Sequence, residues 1–226
     1  MLPNLLQIRS LMVNFHVLRD ASGLYLLDAG FMGGRSPLRR ELARAGWQRE
    51  PIRGIVVTHG HLDHILNVGR IARETGAWVA APRGDVAHYA GCPRYQGPSR
   101  ITGIAEEIGR HILDFVASRP DRWIEDEEHL DIWGGLRAIH LPGHTAGHTG
   151  FYSAQHKLLF CGDLFASFKW GARLPPGIFN SVPQQIPAGI RRALALDLHG
   201  VIPNHGDRAA PEIHLKRLRK LAEGLG

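Results

Sequence analysis

Short apolar stretches alternate with turn residues over the first third of the chain. Residues 12–18 and 24–27 flank a polar turn, a pattern that predicts a β-hairpin. The β-branched run at 52–57 predicts a buried strand, and residues 77–80 predict another. Between these two strands, apolar positions recur at helical spacing up to Gly76, a residue type that is typical of a helix end. The order from residue 52 onward is therefore strand, loop, helix, strand.

The segment 83–130 interrupts this alternation because it is more polar. A helix is predicted from about 102 to 118, with Ile104, Ile108 and Ile112 facing inward. We therefore interpret residues 83–130 as a helical insertion on the scaffold.

Strands and helices alternate again in the second half of the chain. Strands are predicted at 136–141, 150–153, 157–161 and 201–202, and helices near 184–198 and 211–223. Strands with helices on their outer faces predict a layered α/β domain. A length of 226 residues fits one domain spanning 1–226.

Composition and charge narrow the range of partners and compartments. The net charge of +6 comes from scattered residues, apart from a basic run at 216–220 on a predicted helix, so no nucleic-acid partner is expected. The apolar runs are too short to cross a membrane, and the N-terminus lacks the pattern of a signal peptide. Two cysteines, Cys92 and Cys161, do not make a disulfide framework, so a cytoplasmic setting is expected.

Candidate metal ligands follow the predicted strands. The segment Thr58-His59-Gly60-His61-Leu62-Asp63-His64 comes directly after the strand at 52–57 and holds four potential ligands within six residues. His144, Asp163 and His205 each follow a later strand, in Gly-containing turns. Side chains on loops at one edge of a rigid sheet are where binding and catalysis are expected. Imidazoles combined with a few carboxylates suit zinc, and also iron or manganese.

The motif HxHxDH, a histidine in a PGHTxGH segment, an aspartate in a Gly-Asp step and a late histidine together resemble the metallo-β-lactamase-fold hydrolase superfamily, in particular its glyoxalase II and lactonase-like branch. The resemblance runs from about residue 14 to 207. It implies a four-layer αββα sandwich that carries the helical insertion at about 83–130. It also implies two divalent metal ions, for which zinc is favoured. One ion would be held by His59, His61 and His144, the other by Asp63, His64 and His205, with Asp163 bridging them.

The resemblance also implies a chemistry. A hydroxide that bridges the two metals would attack a small ester, lactone, thioester or phosphoester, and Asp63 would accept or return a proton. Asp28 and Thr58 are predicted to hold ligand imidazoles in the correct tautomer. The aromatic residues of the loop at 165–182 are predicted to form the wall of a pocket for a small-molecule substrate. These pocket residues are Phe165, Phe168, Trp170 and Phe179. A homodimer is left open.

Three alternatives remain at this level. The first is a mononuclear iron persulfide dioxygenase, whose ligands would be His59, His144 and Asp163; the complete second ligand set argues against it. The second is a β-lactam-hydrolysing relative, which generally has a thiolate or a serine where Asp163 stands. Cys161 precedes this aspartate by two residues but is interpreted as a buried packing residue. The third is a metal-binding module without catalysis.

Overall fold

Two facing β-sheets form the centre of the computed structural model, which describes residues 2–93, 95 and 97–225. The strands are β1 (Leu5–Ser10), β2 (Val13–Asp20), β3 (Gly23–Leu27), β4 (Ile52–Val56), β5 (Trp78–Pro82), β6 (Arg122–Ile124), β7 (His129–Leu130), β8 (Leu136–His140), β9 (Thr149–Ser153), β10 (Leu158–Gly162), β11 (Ala166–Phe168), β12 (Gly171–Arg173) and β13 (Gly200–Pro203). The first sheet has the order β1-β2-β3-β4-β5-β6 and the second has the order β13-β10-β9-β8-β7. β11 and β12 form a separate antiparallel hairpin.

Helices cover the outer faces of both sheets. The α-helices are α1 (Arg35–Arg44), α2 (Leu62–Ile65), α3 (Val68–Thr75), α4 (Val86–Tyr89), α5 (Arg100–Ile112), α6 (Ile186–Leu194) and α7 (Pro211–Glu223). Of these, α1 and α3 pack on the first sheet, and α6 and α7 pack on the second. α3 ends at Gly76, which has a φ of 73° and caps the helix in the left-handed conformation that glycine adopts easily. Among the described residues, no helix has both the length and the apolar composition that crossing a bilayer requires.

The alternation of side chains along the strands explains the layers. Leu24 and Leu26 of β3 pack into the core beneath α1 and α3, whereas Tyr25 and Leu27 pack between the two sheets. A strand buried on both faces must be apolar at every position, and all five residues of β3 are buried. The sheets and their helical covers therefore form the four-layer αββα sandwich that the sequence predicts.

The second sheet divides its side chains in the same way. Phe160 of β10 faces the core between the sheets, while Leu159 and Cys161 face the core beneath α6 and α7. Cys161 has no exposed surface, so it packs as a small apolar residue, as expected.

The insertion is shorter than the sequence predicts. Its helical part ends with α5 at Ile112, and residues 122–124 and 129–130 belong to the sheets. β6 pairs in parallel with β5, and β7 pairs with β8. These strands have only three and two residues, which is too few for an alternating pattern to show in the sequence.

The orientation predicted for α5 is wrong. Ile104, Ile108 and Ile112 are 65%, 55% and 75% exposed. The inward face instead carries Gly103 and Arg110, and a Cβ on Gly103 would lie 2.4 Å from the ring of Tyr95. Helical spacing identifies a common face, but it does not say which side the protein covers. Here the covered side is polar and small because it contacts a polar loop.

Substitution of Ile108 by Lys should therefore change the free energy of unfolding by no more than about 0.5 kcal/mol, since an exposed position loses little packing. Substitution of Ile190 by Ala should cost about 2–5 kcal/mol, because this side chain is 1% exposed in the core beneath α6. Urea unfolding of both variants tests the orientation of α5, and equal losses would contradict it.

Candidate metal centre

The loop after β4 brings four of the seven predicted ligands to one edge of the first sheet. β4 lies between β3 and β5, parallel to both, so its end is held on two sides. His61 occupies the N-cap position of α2, which places Asp63 and His64 in the first turn of that helix. The loop and the first turn of the short helix thus bring these four side chains toward one point.

The other three predicted ligands reach the same point from the second sheet. His144 follows β8, Asp163 follows β10 and His205 follows β13. All seven predicted ligands lie together. The ligand atoms of His59, His61 and His144 lie within 4.8 Å of one another, and so do those of Asp63, His64 and His205.

Asp163 lies between the two groups. Its Oδ2 atom is 3.4 Å from Nε2 of His144 and 3.1 Å from Nε2 of His205, and its Oδ1 atom is 3.4 Å from Nε2 of His64. Nε2 of His205 is also 3.2 Å from Oδ2 of Asp63. One carboxylate thus contacts side chains of both groups.

Unpaired nitrogen atoms make this cluster a candidate metal site. The Nε2 atoms of His59, His61, His64 and His144 are buried and find no hydrogen-bond partner among the described residues. Each buried, unsatisfied polar atom costs about 1–3 kcal/mol. Four Nε2 atoms directed at a shared space, with carboxylates beside them, fit a divalent cation of the zinc, iron or manganese type.

Asp28 and Thr58 hold two of these imidazoles from behind, where the sequence predicts them. Oδ2 of Asp28 lies 2.9 Å from Nδ1 of His64, and it also accepts a hydrogen bond of 2.8 Å from the hydroxyl of Thr58. The same hydroxyl oxygen lies 3.0 Å from Nδ1 of His59. When Nδ1 carries the proton, Nε2 is left as the free lone pair, which is the tautomer that a ligand needs.

Sequence reasoning missed two further partners of this kind. Oδ1 of Asn180 lies 2.8 Å from Nδ1 of His144, and the amide of Asn204 donates to Asp28. Asn204 directly precedes His205, a position that could have drawn attention to it. Asn180 carries no such signal, because 36 positions separate it from His144.

His148 fixes the backbone of Asp163. Its Nδ1 atom lies 2.8 Å from the carbonyl oxygen of Leu141, and its Nε2 atom accepts the N–H of Asp163 at 2.9 Å. Burial lowers the pKa of His148 to about 3, so the ring is neutral and can donate and accept at once. Both ring nitrogens of His148 therefore have hydrogen-bond partners, unlike those of the histidines whose Nε2 atoms are unpaired.

Asp85, in the insertion, joins the loop after β4 to the loop after β8 by hydrogen bonds. This role was not predicted from the sequence. It is 1% exposed and accepts hydrogen bonds from the N–H of Gly60 at 2.8 Å, the N–H of Gly147 at 2.8 Å and the hydroxyl of Thr145 at 2.6 Å. A Cβ on Gly147 would lie 2.8 Å from Cγ of Asp85, so only glycine allows this approach. Gly60 lies between His59 and His61, and Thr145 directly follows His144, so Asp85 holds the backbone beside these three histidines.

Charge is distributed unevenly over the cluster. Burial lowers the pKa of His59 and His61 well below the usual value, so both rings are neutral. Burial also opposes charge on His205, but Asp163 and Asp63 outweigh it and raise the pKa of His205 to about 10. In turn His205 and His64 lower the pKa of Asp163 well below its usual range, against the effect of burial. Both aspartates are therefore carboxylates at neutral pH.

A cavity of about 620 Å³ opens onto the cluster. All four aromatic residues that the sequence predicts for a pocket wall line this cavity: Phe165, Phe168, Trp170 and Phe179. Helix α5 of the insertion forms another part of the wall. The volume lies in the range of about 300–1,000 Å³ that is typical of small-molecule sites.

Comparison with known proteins identifies the family. The sequence profile of the Metallo-beta-lactamase superfamily matches residues 8–205. A hydroxyacylglutathione hydrolase from Aeromonas hydrophila is 30% identical over 166 residues, which cover 73% of this chain and 50% of the relative. The chain spans about half the length of the curated relatives that it matches.

Solved structures share the fold. A metallo-beta-lactamase family protein from Thermus thermophilus has a TM-score of 0.76 at 21% identity, covering 99% of this chain and 80% of its own. A protein crystallised in a di-iron-bound form has a TM-score of 0.67 at 22% identity, covering 94% of this chain and 96% of its own. The predicted fold and family are confirmed.

Substitution of Asp85 by Ala should lower the free energy of unfolding by about 2–5 kcal/mol, because it leaves three buried donors without an acceptor. Urea unfolding in the presence of a chelator measures this loss separately from any effect of metal. Asp131→Ala, at an exposed position, is the matched control and should stay within about 0.5 kcal/mol. Equal stabilities of the two variants would show that Asp85 does not hold the loops.

Proposed function

We propose, since this chain belongs to the metallo-beta-lactamase superfamily, that it is a dinuclear metal-dependent hydrolase of a small ester, thioester, lactone or phosphoester. The observation that carries the proposal is the meeting of two three-residue ligand groups around one carboxylate, Asp163. The unpaired Nε2 atoms on both sides of this carboxylate support a binding role for both groups.

Each group would hold one ion. His59, His61 and His144 would bind the first ion through neutral imidazoles. Asp63, His64 and His205 would bind the second, and Asp163 would contact both. A histidine must lose its second proton to become a ligand, so metal binding at His64 and His205 would release protons. Zinc is favoured for this donor set, and iron is a second choice because a protein of the same fold is crystallised in a di-iron-bound form.

Bound divalent ions would supply two things, polarisation of the substrate carbonyl or phosphoryl group and a lowered pKa for a water molecule. The chain supplies orientation and proton transfer. Asp28, Thr58 and Asn180 fix the rings of His64, His59 and His144 from outside.

Asp63 is suited to handle the proton. It lines the cavity, and its side chain keeps 30% of its surface exposed. Burial would raise the pKa of its carboxyl group, but His64 and His205 outweigh this and lower it, so Asp63 is ionised and can accept a proton at neutral pH.

Thioesters rank first among the proposed bonds, because the relatives are named hydroxyacylglutathione hydrolases. The apolar cavity wall supports a carbon-rich substrate body over a highly charged phosphoester. These two observations rank the bond types without excluding any of them.

Metal content tests the dinuclear proposal first. Protein purified without added metal or chelator should carry close to two transition-metal ions per chain by inductively coupled plasma mass spectrometry. Asp163→Ala should lose metal and hydrolysis together, because it removes the contact with both groups, whereas Asp131→Ala should keep both. Close to one iron per chain, with oxygen uptake on a persulfide substrate, would contradict the proposal and favour a mononuclear dioxygenase. Full activity of Asp163→Ala would contradict the bridging role.

Substitution of Trp170 by Ala tests the pocket. Trp170 is 62% exposed and stacks on Phe168 at a centroid distance of 4.7 Å, so its loss should affect folding little. We expect KM for the best substrate to rise about tenfold, in line with the loss of one good apolar contact surface. Unchanged kinetics would remove Trp170 from the pocket.

A further inference from the structure

The residues that line the walls of the cavity indicate which kind of substrate it would accept. On one side lies α5, which presents Ala105 and Gly109 to the cavity, and Leu113 directly after the helix lines it too. Ala105 and Gly109 are four positions apart and therefore lie on one face of the helix. Ala105 is exposed, whereas a Cβ on Gly109 would lie 3.2 Å from Cδ2 of Leu62, so Gly109 is closely packed against Leu62. We call the part of the cavity between α5 and the β11–β12 hairpin the channel; Thr102 and Glu106 line it together with these small and apolar residues.

The opposite wall is also apolar. It consists of the β11–β12 hairpin and the chain that follows it, and contributes Phe168, Trp170, Leu174 and Pro175. Phe165 is fully buried and lines the base of the cavity next to the ligand cluster. A ligand between the two walls would therefore contact aromatic and aliphatic groups on both sides.

Two of the polar side chains in these walls, Thr102 and Glu106, already have hydrogen-bonding or ionic partners. The hydroxyl of Thr102 donates to the carbonyl oxygen of Ile178. Glu106 forms an ion pair with Arg110 at 3.2 Å. The guanidinium of Arg173 lies 4.2 Å from the centroid of the Trp170 ring, in an exposed position. Within the described part of the chain, Arg173 is the one arginine or lysine in the walls of the cavity.

We infer that the substrate carries a contiguous apolar chain or ring next to the scissile ester, thioester or lactone bond, and that this group fills the channel between α5 and the β11–β12 hairpin. The inference rests on the proposed hydrolase function. In the reaction, water adds to the carbonyl carbon and the carbon–oxygen or carbon–sulfur bond breaks. The carboxylic acid keeps the oxygen of the water, and the leaving alcohol or thiol takes a proton.

A glutathione thioester fits these walls less well. Glutathione carries two carboxylates and an ammonium group, which need charged or hydrogen-bonding partners when they leave water. Thr102 and Glu106 are already paired, and Arg173 is the one arginine or lysine in the described walls that could pair with the two carboxylates. The chain is therefore expected to differ from its named relatives in the body of the substrate, with the bond hydrolysed unchanged.

Two substrate series test the inference and locate the apolar group. The first varies the acyl chain from two to ten carbons on one small thiol, and the second varies the alcohol of an acetyl ester over the same lengths. In one of the series, kcat/KM of the zinc-loaded protein should rise at least about 100-fold from the shortest to the eight-carbon member, because each buried methylene contributes about a fourfold factor. The glutathione thioester of a two-carbon acid is the third substrate.

A pair of variants tests the position of the group. Ala105→Trp fills the channel and should lower kcat/KM for the eight-carbon substrate about tenfold relative to the two-carbon one. Ala43→Trp adds the same side chain on the exposed face of α1, away from the cavity, and should leave the chain-length profile unchanged.

A binding measurement separates the failure of this inference from the failure of the hydrolase proposal. Calorimetric titration with carboxylates of two to ten carbons should show Kd falling with chain length in the unmodified protein and not in Ala105→Trp. If no substrate is hydrolysed but this trend appears, the hydrolase proposal fails while the apolar channel stands. Flat profiles in hydrolysis or in binding would overturn the inference, and so would a clear preference for the glutathione thioester.

Discussion

The structure of the site depends on one constraint: four buried imidazole Nε2 atoms face one another without hydrogen-bond partners among the described residues. Such an arrangement persists only if the rings cannot turn to find hydrogen bonds elsewhere. For three of the rings, an oxygen on the far side fixes Nδ1: Thr58 for His59, Asp28 for His64 and Asn180 for His144. These oxygens belong to three separate segments, so the αββα sandwich as a whole determines the direction of the free lone pairs.

The ends of the strands meet this requirement because they are rigid and adjacent. Asp28, at the end of β3, has a strained backbone conformation. It is fully buried and has a φ of 62°, which is uncommon for a residue other than glycine. Its carboxylate accepts from Thr58 and Asn204 and faces His64. The hydrogen bonds of one aspartate thus join β3, the loop after β4 and the end of β13, and they compensate for its backbone strain.

Much of this site could be predicted because its ligands stand close together in the sequence or directly follow predicted strands. His59, His61, Asp63 and His64 share one loop, and the Gly-Asp step at Asp163 marks a strand end. Asp85 and Asn180 could not be found in this way, because their partners are distant in the chain and their own surroundings carry no pattern. The inward face of α5 was predicted wrongly for a related reason. Arg110 donates to the carbonyl oxygens of His88 in α4 and Gly60 in the loop after β4, so the inward face of α5 makes polar contacts.

The insertion therefore has two roles: one side of it holds the loop after β4, and the other side lines the cavity. Through Asp85 and Arg110 it holds the ligand loop by hydrogen bonds, which depend on direction and tolerate little change. Through Ala105, Gly109 and Leu113 it lines the cavity with apolar surface, which depends on shape and volume and accepts substitution more easily. Substitutions in the apolar wall can accordingly change the shape of the cavity without changing the side chains at the strand ends. Because the two roles use different residues, the apolar wall can differ between members of this superfamily while the side chains at the strand ends stay the same.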